Sequence, residues 1–200
     1  MDLIISSNNK NKINEIKKLL SSLDINVLSL SDINFNEEIL ETGSTFSQNS
    51  YIKAKTIFDK YHMPVIADDS GLEVEALGGK PGVYSHRYAG EDCNDTANNL
   101  KLIEELNGIL NRNANYTCDI CYINKNGQVK HSTGKCYGLI CNNPKGENGF
   151  GYDPYFYIES LGKTMAELDM DEKNKISHRA KALNQLKELI YEDLTSKWYT

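Results

Sequence analysis

The sequence predicts an α/β protein. Short apolar runs that read as strands, at 2–6, 25–30, 64–67 and 155–158, alternate with segments whose apolar residues recur at helical spacing. A stretch rich in threonine, tyrosine and cysteine between 116 and 141 reads as a β-hairpin. In 200 residues this is one large domain or two lobes sharing a sheet, with enough chain to bury a core. No repeat, low-complexity tract or linker divides it, so a single domain over 1–200 is the simplest organisation.

Asp2 to Ser6 is the first strand. The polar run Ser7-Asn8-Asn9-Lys10-Asn11-Lys12 follows, and Ile13, Ile16, Leu19, Leu20 and Leu23 then share one stripe of a helix. Strand, polar loop and helix is the arrangement in which backbone N–H groups bind phosphate, with Lys10 and Lys12 adding charge; the same composition also caps helices, and the glycine spacing of a Walker-type loop is absent. Ile25 to Leu30 is a second strand. Glu41 to Phe46 opens a second helix, running to about Tyr61 with Phe46, Ala54, Ile57, Phe58 and Tyr61 as candidate core. Lys53 on this helix either faces solvent or reaches the acids that follow.

Those acids are Asp68 and Asp69. Pro64 to Ala67 reads as a short buried strand ending in Asp68-Asp69-Ser70-Gly71. Alternation along a strand sends neighbouring side chains to opposite faces, so the two carboxylates can share a target only if the chain turns, and Gly71 points to such a turn. Adjacent carboxylates repel unless a cation, a proton or water relieves them, so the pair either holds a divalent metal or forms a solvated turn. Gly78 to Gly82 reads as a tight turn.

Asn94 to Leu110 is expected to be a helix built on Leu100, Ile103 and Leu106. The hairpin turns around Asn126-Gly127, and an ideal two-residue turn pairs 125 with 128, which places Cys118 and Cys141 on one face and Cys121 and Cys136 on the other. A four-thiolate zinc site would need that register broken. Five cysteines, an odd set that includes Cys93, read as free thiols. Phe150 stands between two glycines, where its ring either offers a face for stacking or plugs the core. A final helix spans 171–194 with Ile176, Leu183, Leu186 and Ile190 inward. Lys173, His178 and Arg179 lie near its start, where cations oppose the helix dipole and need solvent or an anion.

A net charge of −6 argues against broad nucleic-acid binding. No apolar run approaches the roughly 18 residues of a membrane span, and MDLIISSNNK lacks the features of a secretory signal, so a cytoplasmic protein with no membrane partner is expected.

These stretches together resemble the inosine/xanthosine triphosphate pyrophosphatase family, which hydrolyses non-canonical purine nucleoside triphosphates to monophosphate and pyrophosphate. SSNNKNK at 6–12, ETGSTFSQNSYIKA at 41–54, ADDSGLEVEALGGKPGVYSHRYAG at 67–90, GFGYDPYF at 149–156, KTMAEL at 163–168 and KNKISHRAKAL at 173–183 occur in the family's order. The resemblance implies an elongated mixed sheet flanked by helices, with two lobes around a substrate cleft, Mg²⁺ as cofactor and a homodimer. It implies that Ser7, Asn8, Asn9, Lys10, Asn11 and Lys12 bind triphosphate, with Lys53 as a second phosphate-side lysine. Asp69 matches the catalytic acid, described as metal ligand or general base for the attacking water, and Ser70 matches a substrate contact; Asp69, with help from Asp68 and Glu41, is then expected to hold the Mg²⁺. Phe150, Gly151, Tyr152 and Asp153 match the segment that holds the base, and Lys173, His178 and Arg179 the carboxy-terminal substrate group. Two positions depart from the pattern: Leu40 stands where many relatives have an acid, leaving Glu41 or Glu38 to serve, and His86 replaces a common alanine. The rival readings are a Maf-like pyrophosphatase acting on pyrimidine or modified nucleotides, and a nucleotide-binding regulator without catalysis.

Overall fold

Leu3 and Ile5 point to one side of the first strand and Ile4 to the other, and all three are fully buried, so the sheet is covered on both faces here. The computed structural model describes residues 2–90 and 94–195. Among them are the strands β1 (Asp2–Ile5), β2 (Asn26–Ser29), β3 (Val65–Val74), β4 (Lys80–Pro81), β5 (Asn113–Ile123), β6 (Val129–Ile140), β7 (Phe156–Ile158) and β8 (Lys163–Thr164). The α-helices are α1 (Lys10–Leu20), α2 (Phe46–Tyr61), α3 (Asp95–Glu105), α4 (Met170–Ile176) and α5 (His178–Thr195). The fold is therefore the expected α/β class with a mixed central sheet: the order is β2-β1-β3-β5-β6-β7-β8, with β4 paired to β3. β1 is parallel to β2 and β3, whereas β7 is antiparallel to β6 and β8. Among the described residues no helix is long and apolar enough to cross a membrane.

The chain forms two compact units, and β3, β5 and β6 each pass from one to the other along the chain. The first takes the described residues of 1–69, 118–134 and 179–200. One face of its sheet packs Leu3, Ile5, Ile66, Cys118, Ile120 and Tyr122 against Ile16 and Leu20 of α1 and Leu183, Leu186 and Ile190 of α5. The other face packs Ile4, Val65, Ala67, Cys121 and Ile123 against Ala54 and Ile57 of α2. The second unit takes 70–117 and 135–178, with a core of Leu72, Val74, Tyr116, Cys136 and Phe156 under Leu102 and Leu106.

Four local expectations are corrected. The strand expected to end at Ala67 continues through Asp68, Asp69, Ser70 and Gly71 to Val74, so Gly71 makes no turn. The hairpin loop has three residues instead of two. The Asn124 side-chain oxygen accepts from the N–H groups of Asn126 and Gln128, both at 3.0 Å, and the Asn124 backbone N–H donates to the Gln128 carbonyl at 3.0 Å. Gly127 takes the left-handed position, at φ 76°, that such a loop requires. This one-residue shift pairs 124 with 128, puts Cys118 and Cys136 on one hairpin face, and leaves Cys118, Cys121, Cys136 and Cys141 as free thiols; Cys93 lies outside the described residues. The single final helix is two helices, broken at the buried, extended Ser177 (ψ 152°). Leu100 is 62% exposed, and Leu102 takes its place in the core.

Leu102→Ala is expected to lower the unfolding free energy by about 2–5 kcal/mol, and Leu100→Ala to change it by less than about 0.5 kcal/mol. Urea denaturation of the two variants checks the register of α3.

Candidate active site

Because β3 stays extended, Asp68 and Asp69 face opposite sides of the sheet. Asp68 follows the parity of Ile66, towards α1 and α5; Asp69 follows Val65 and Ala67, towards α2. Each carboxylate meets its own set of partners in the first unit.

Asp68 is 1% exposed, and its Oδ2 accepts from Arg179 Nε at 3.1 Å and Nη2 at 3.0 Å, with Lys12 Nζ 3.3 Å away. Arg179, as buried as Asp68, also donates from Nη1 to the buried Glu15 of α1. Burial opposes the charge on Asp68, but Lys12 and Arg179 outweigh it and hold its carboxyl well below the usual range. Burial likewise works against the guanidinium, and Asp68 and Glu15 more than offset it. The cation at the amino end of α5 thus has the anion that the sequence said it would need. Two of the expected site residues lie here. Asp68, expected among the metal ligands, points away from Asp69 and is engaged by cations of the chain itself. Arg179, expected to contact substrate, has its guanidinium directed at Asp68 and Glu15.

On the α2 side, Asp69 is 5% exposed; its Oδ2 accepts from Asn49 Nδ2 at 3.1 Å and its Oδ1 lies 3.6 Å from Lys53 Nζ. The same ammonium lies 2.9 Å from Glu41 Oε1. Burial pushes the Asp69 carboxyl above its ordinary value, Glu41 pushes the same way, and Lys53 and Lys12 offset this only in part. Burial also disfavours the charge on Lys53, but Asp69, Glu41 and Asp68 win and hold the ammonium protonated. Glu41 reaches this place because Gly43 lets its segment lie against α2: a Cβ on Gly43 would come within 2.7 Å of Asn49 Oδ1, which accepts the Gly43 N–H at 2.8 Å. Glu41 therefore stands beside Asp69, whereas Leu40 is 67% exposed.

The loop of Ser7, Asn8 and Asn9 enters α1. Asn9 Oδ1 caps the helix, accepting from the N–H groups of Asn11 at 3.0 Å and Lys12 at 3.1 Å, and Ser7 Oγ accepts the Asn9 N–H at 3.2 Å. Asn8, Lys10 and Asn11 are exposed. The Lys12 side chain returns to Asp68, so among the two lysines of this loop only Lys12 joins the carboxylates.

The second unit holds another group, arranged on Asp153. Its Oδ2 accepts from Lys173 Nζ at 2.7 Å and from the Phe150 N–H at 3.0 Å, and its Oδ1 accepts from the Tyr116 hydroxyl at 3.1 Å. Gly149 makes this possible: its φ is +76°, and a Cβ there would lie 2.1 Å from Asp153 Oδ2. Lys173 Nζ also sits 4.9 Å from the centre of the Phe150 ring. Gly151 is pinned at both ends, its N–H to Asp95 Oδ2 and its carbonyl to Asn99 Nδ2, each at 2.8 Å. Tyr152 plugs the core and donates its hydroxyl to the Ser85 carbonyl at 2.8 Å. His178 is buried and stacks on Tyr116, with ring centres 4.7 Å apart. Ser70, half-buried, follows Asp69 on β3. Lys173, expected in the carboxy-terminal substrate group, pairs here with Asp153.

Sequence reasoning missed Glu15, Asn49, Asn99 and Tyr116. Glu15 and Asn49 interrupt apolar helical stripes at buried positions, and that signal was present; Asn99 and Tyr116 carry none that sets them apart from their neighbours.

A family model described as the Ham1 family matches residues 3–189. A Bacillus licheniformis protein named dITP/XTP pyrophosphatase is 48% identical over 191 residues, covering 94% of this chain and 97% of the relative. A Clostridium tetani protein of the same name is 43% identical over 199 residues, covering 98% of both. Among solved structures, the Staphylococcus aureus Ham1 protein superposes with a TM-score of 0.86 at 42% identity, over 95% of this chain and 98% of the other. A HAM1 protein from Coxiella burnetii gives 0.87 at 40% identity, over 96% and 99%.

Arg179→Ala leaves two buried carboxylates short of a cation and is expected to cost about 3–5 kcal/mol at pH 7 by urea denaturation. Asp68 has a depressed folded value, so its contribution to stability is full above its unfolded value of about 4 and is lost as pH falls towards and through the folded one. Wild-type stability should therefore decline below about pH 4, while the penalty of Arg179→Ala shrinks there.

Proposed function

The chain belongs to the Ham1 family, and on that premise we propose that it hydrolyses non-canonical purine nucleoside triphosphates, the deoxyinosine and xanthosine forms first, to monophosphate and pyrophosphate. The relatives' names support the substrate class. The observation that carries the chemistry is the buried Asp69 carboxyl, raised above its ordinary value, with Glu41 and Lys53 beside it.

The donor set suits a hard cation. Glu41 and Asp69 already converge on an ammonium at 2.9 and 3.6 Å, and both offer oxygen. Among the described residues no three His, Cys, Asp or Glu side chains form a ready metal cluster, so Mg²⁺ would rest on these two carboxylates together with substrate oxygens and water, its usual habit. When bound, it would neutralise phosphate charge and polarise the phosphoryl oxygen.

The chain's own groups do the rest. Asp69 takes a proton from the attacking water, whose oxygen bonds to the α-phosphorus while the bridging oxygen leaves with pyrophosphate. Lys53, kept charged, and Lys12 stabilise the negative charge that gathers on the oxygens. The loop of Ser7 to Asn11 receives the phosphates, and Ser70 contacts the substrate beside Asp69. Phe150 offers its ring to the base. A 6-oxo purine presents an acceptor where adenine presents a donor, so Lys173 and His178 favour hypoxanthine and xanthine. The Phe150 and Gly151 N–H groups are already taken by Asp153 and Asp95. Gly151, Tyr152 and Asp153 act by fixing the segment. A homodimer follows from the family resemblance, and free buried thiols fit a cytoplasmic setting.

Pyrophosphate release should be strong and Mg²⁺-dependent with deoxyinosine, inosine and xanthosine triphosphates, and weak with adenosine, thymidine and uridine triphosphates. A preference for pyrimidines would move the chain to the Maf-like reading, and binding without turnover would sink catalysis. Asp69→Asn should lower kcat by about 100-fold or more. Near-normal turnover in that variant would refute the role given to Asp69.

A further inference from the structure

Asp119 lies on β5, is 4% exposed, and takes no part in the groups above. It faces α2, as do its strand neighbours Cys121 and Ile123, which pack against Ala54 and Ile57. Ile4, Val65 and Ala67 share that apolar seat, and apolar burial is in itself non-directional. Asp119 supplies the direction. Its Oδ1 accepts the Ser50 hydroxyl of α2 at 2.5 Å and pairs with His131 Nδ1 at 2.8 Å, and its Oδ2 accepts the Thr133 hydroxyl at 3.1 Å. β6 thus clamps the carboxylate from one side, and one helical position of Ser50, itself fully buried, completes it.

The turn of α2 that carries Ser50 also carries the Asp69 partners. Asn49 precedes Ser50, and Lys53 follows three residues later on the same inner face, both touching Asp69. We propose that Asp119 is a positioning residue for the reaction: through Ser50 it sets the register of α2 and so places Asn49 and Lys53 on Asp69. This rests on the activity proposed above. A buried polar pair that specifies register in an apolar seat is an established use of such groups, and small displacements of groups that hold a reacting centre cost large factors in rate.

Ser50→Ala tests it, because alanine is a good helix former and leaves Asp119 its contacts with His131 and Thr133. The expected result is a fall of about tenfold in kcat for deoxyinosine triphosphate with KM changed by less than about twofold. The Asn49 side-chain amide protons, one of them bonded to Asp69, should move in the NMR spectrum and exchange faster with solvent. Asp119→Asn keeps an acceptor of the same shape and should retain most of the rate. Wild-type kcat and unmoved Asn49 signals in Ser50→Ala overturn the proposal. So does a lower rate with unmoved signals, which would mark a loss of folded enzyme alone. If the wild-type protein released no pyrophosphate, the activity reading would fall by itself, and the Asn49 signals would still decide whether Asp119 sets the helix.

Discussion

The pleat of β3 at Asp68 and Asp69 is the constraint on which the first unit depends. An extended strand cannot aim neighbouring side chains at one point, so two adjacent acids become two separate charge problems on opposite faces of one sheet. The cations that answer them come from different helices. Lys12 on α1 and Arg179 on α5 answer Asp68, and Lys53 on α2 answers Asp69. Three helices are therefore tied to one strand by charge as well as by apolar contact.

The two solutions differ in kind. Around Asp68 the cations outweigh the cost of burial, and the carboxylate stays ionised far into acid; Glu15 balances the second arm of Arg179. These contacts tie the strand, α1 and α5 together. Around Asp69 the cost of burial wins, with one lysine shared between Asp69 and Glu41. That carboxylate is short of positive charge, which is the condition for a proton acceptor or a ligand to a hard cation. Identical side chains next to each other in sequence thus sit in opposite electrostatic settings, one held ionised by its cations and one raised above its ordinary value by burial.

The second unit uses a carboxylate differently. Asp153 binds an ammonium, a phenol and a backbone N–H at once, and these contacts shape the loop that presents Phe150. Lys173 connects the two roles, paired with Asp153 and lying over the Phe150 ring. The break at Ser177 lets Lys173 on α4 and Arg179 on α5 serve different groups, although six residues separate them. A continuous helix would have tied their directions together.

Much of the fold was legible in the sequence, and the motifs singled out Glu41, Lys53 and Asp69, and Phe150, Asp153 and Lys173, which the structure brings together in two groups. Apolar periodicity located the strands and most helices, and the ordered motifs from SSNNKNK to KNKISHRAKAL identified the family, its fold class and the residues worth watching. Local pattern determines these because burial is repeated over many residues and survives errors at any one. What only the tertiary structure decided was direction and partnership. One residue more in the hairpin turn reversed the cysteine faces, an unbroken β3 separated Asp68 from Asp69, and burial assigned Arg179 to Asp68 and Glu15, and Lys173 to Asp153. The role of a charged side chain depends on which opposite charge lies within a few ångströms and on whether water can reach both. Those quantities belong to segments far apart in the chain, and no local pattern contains them.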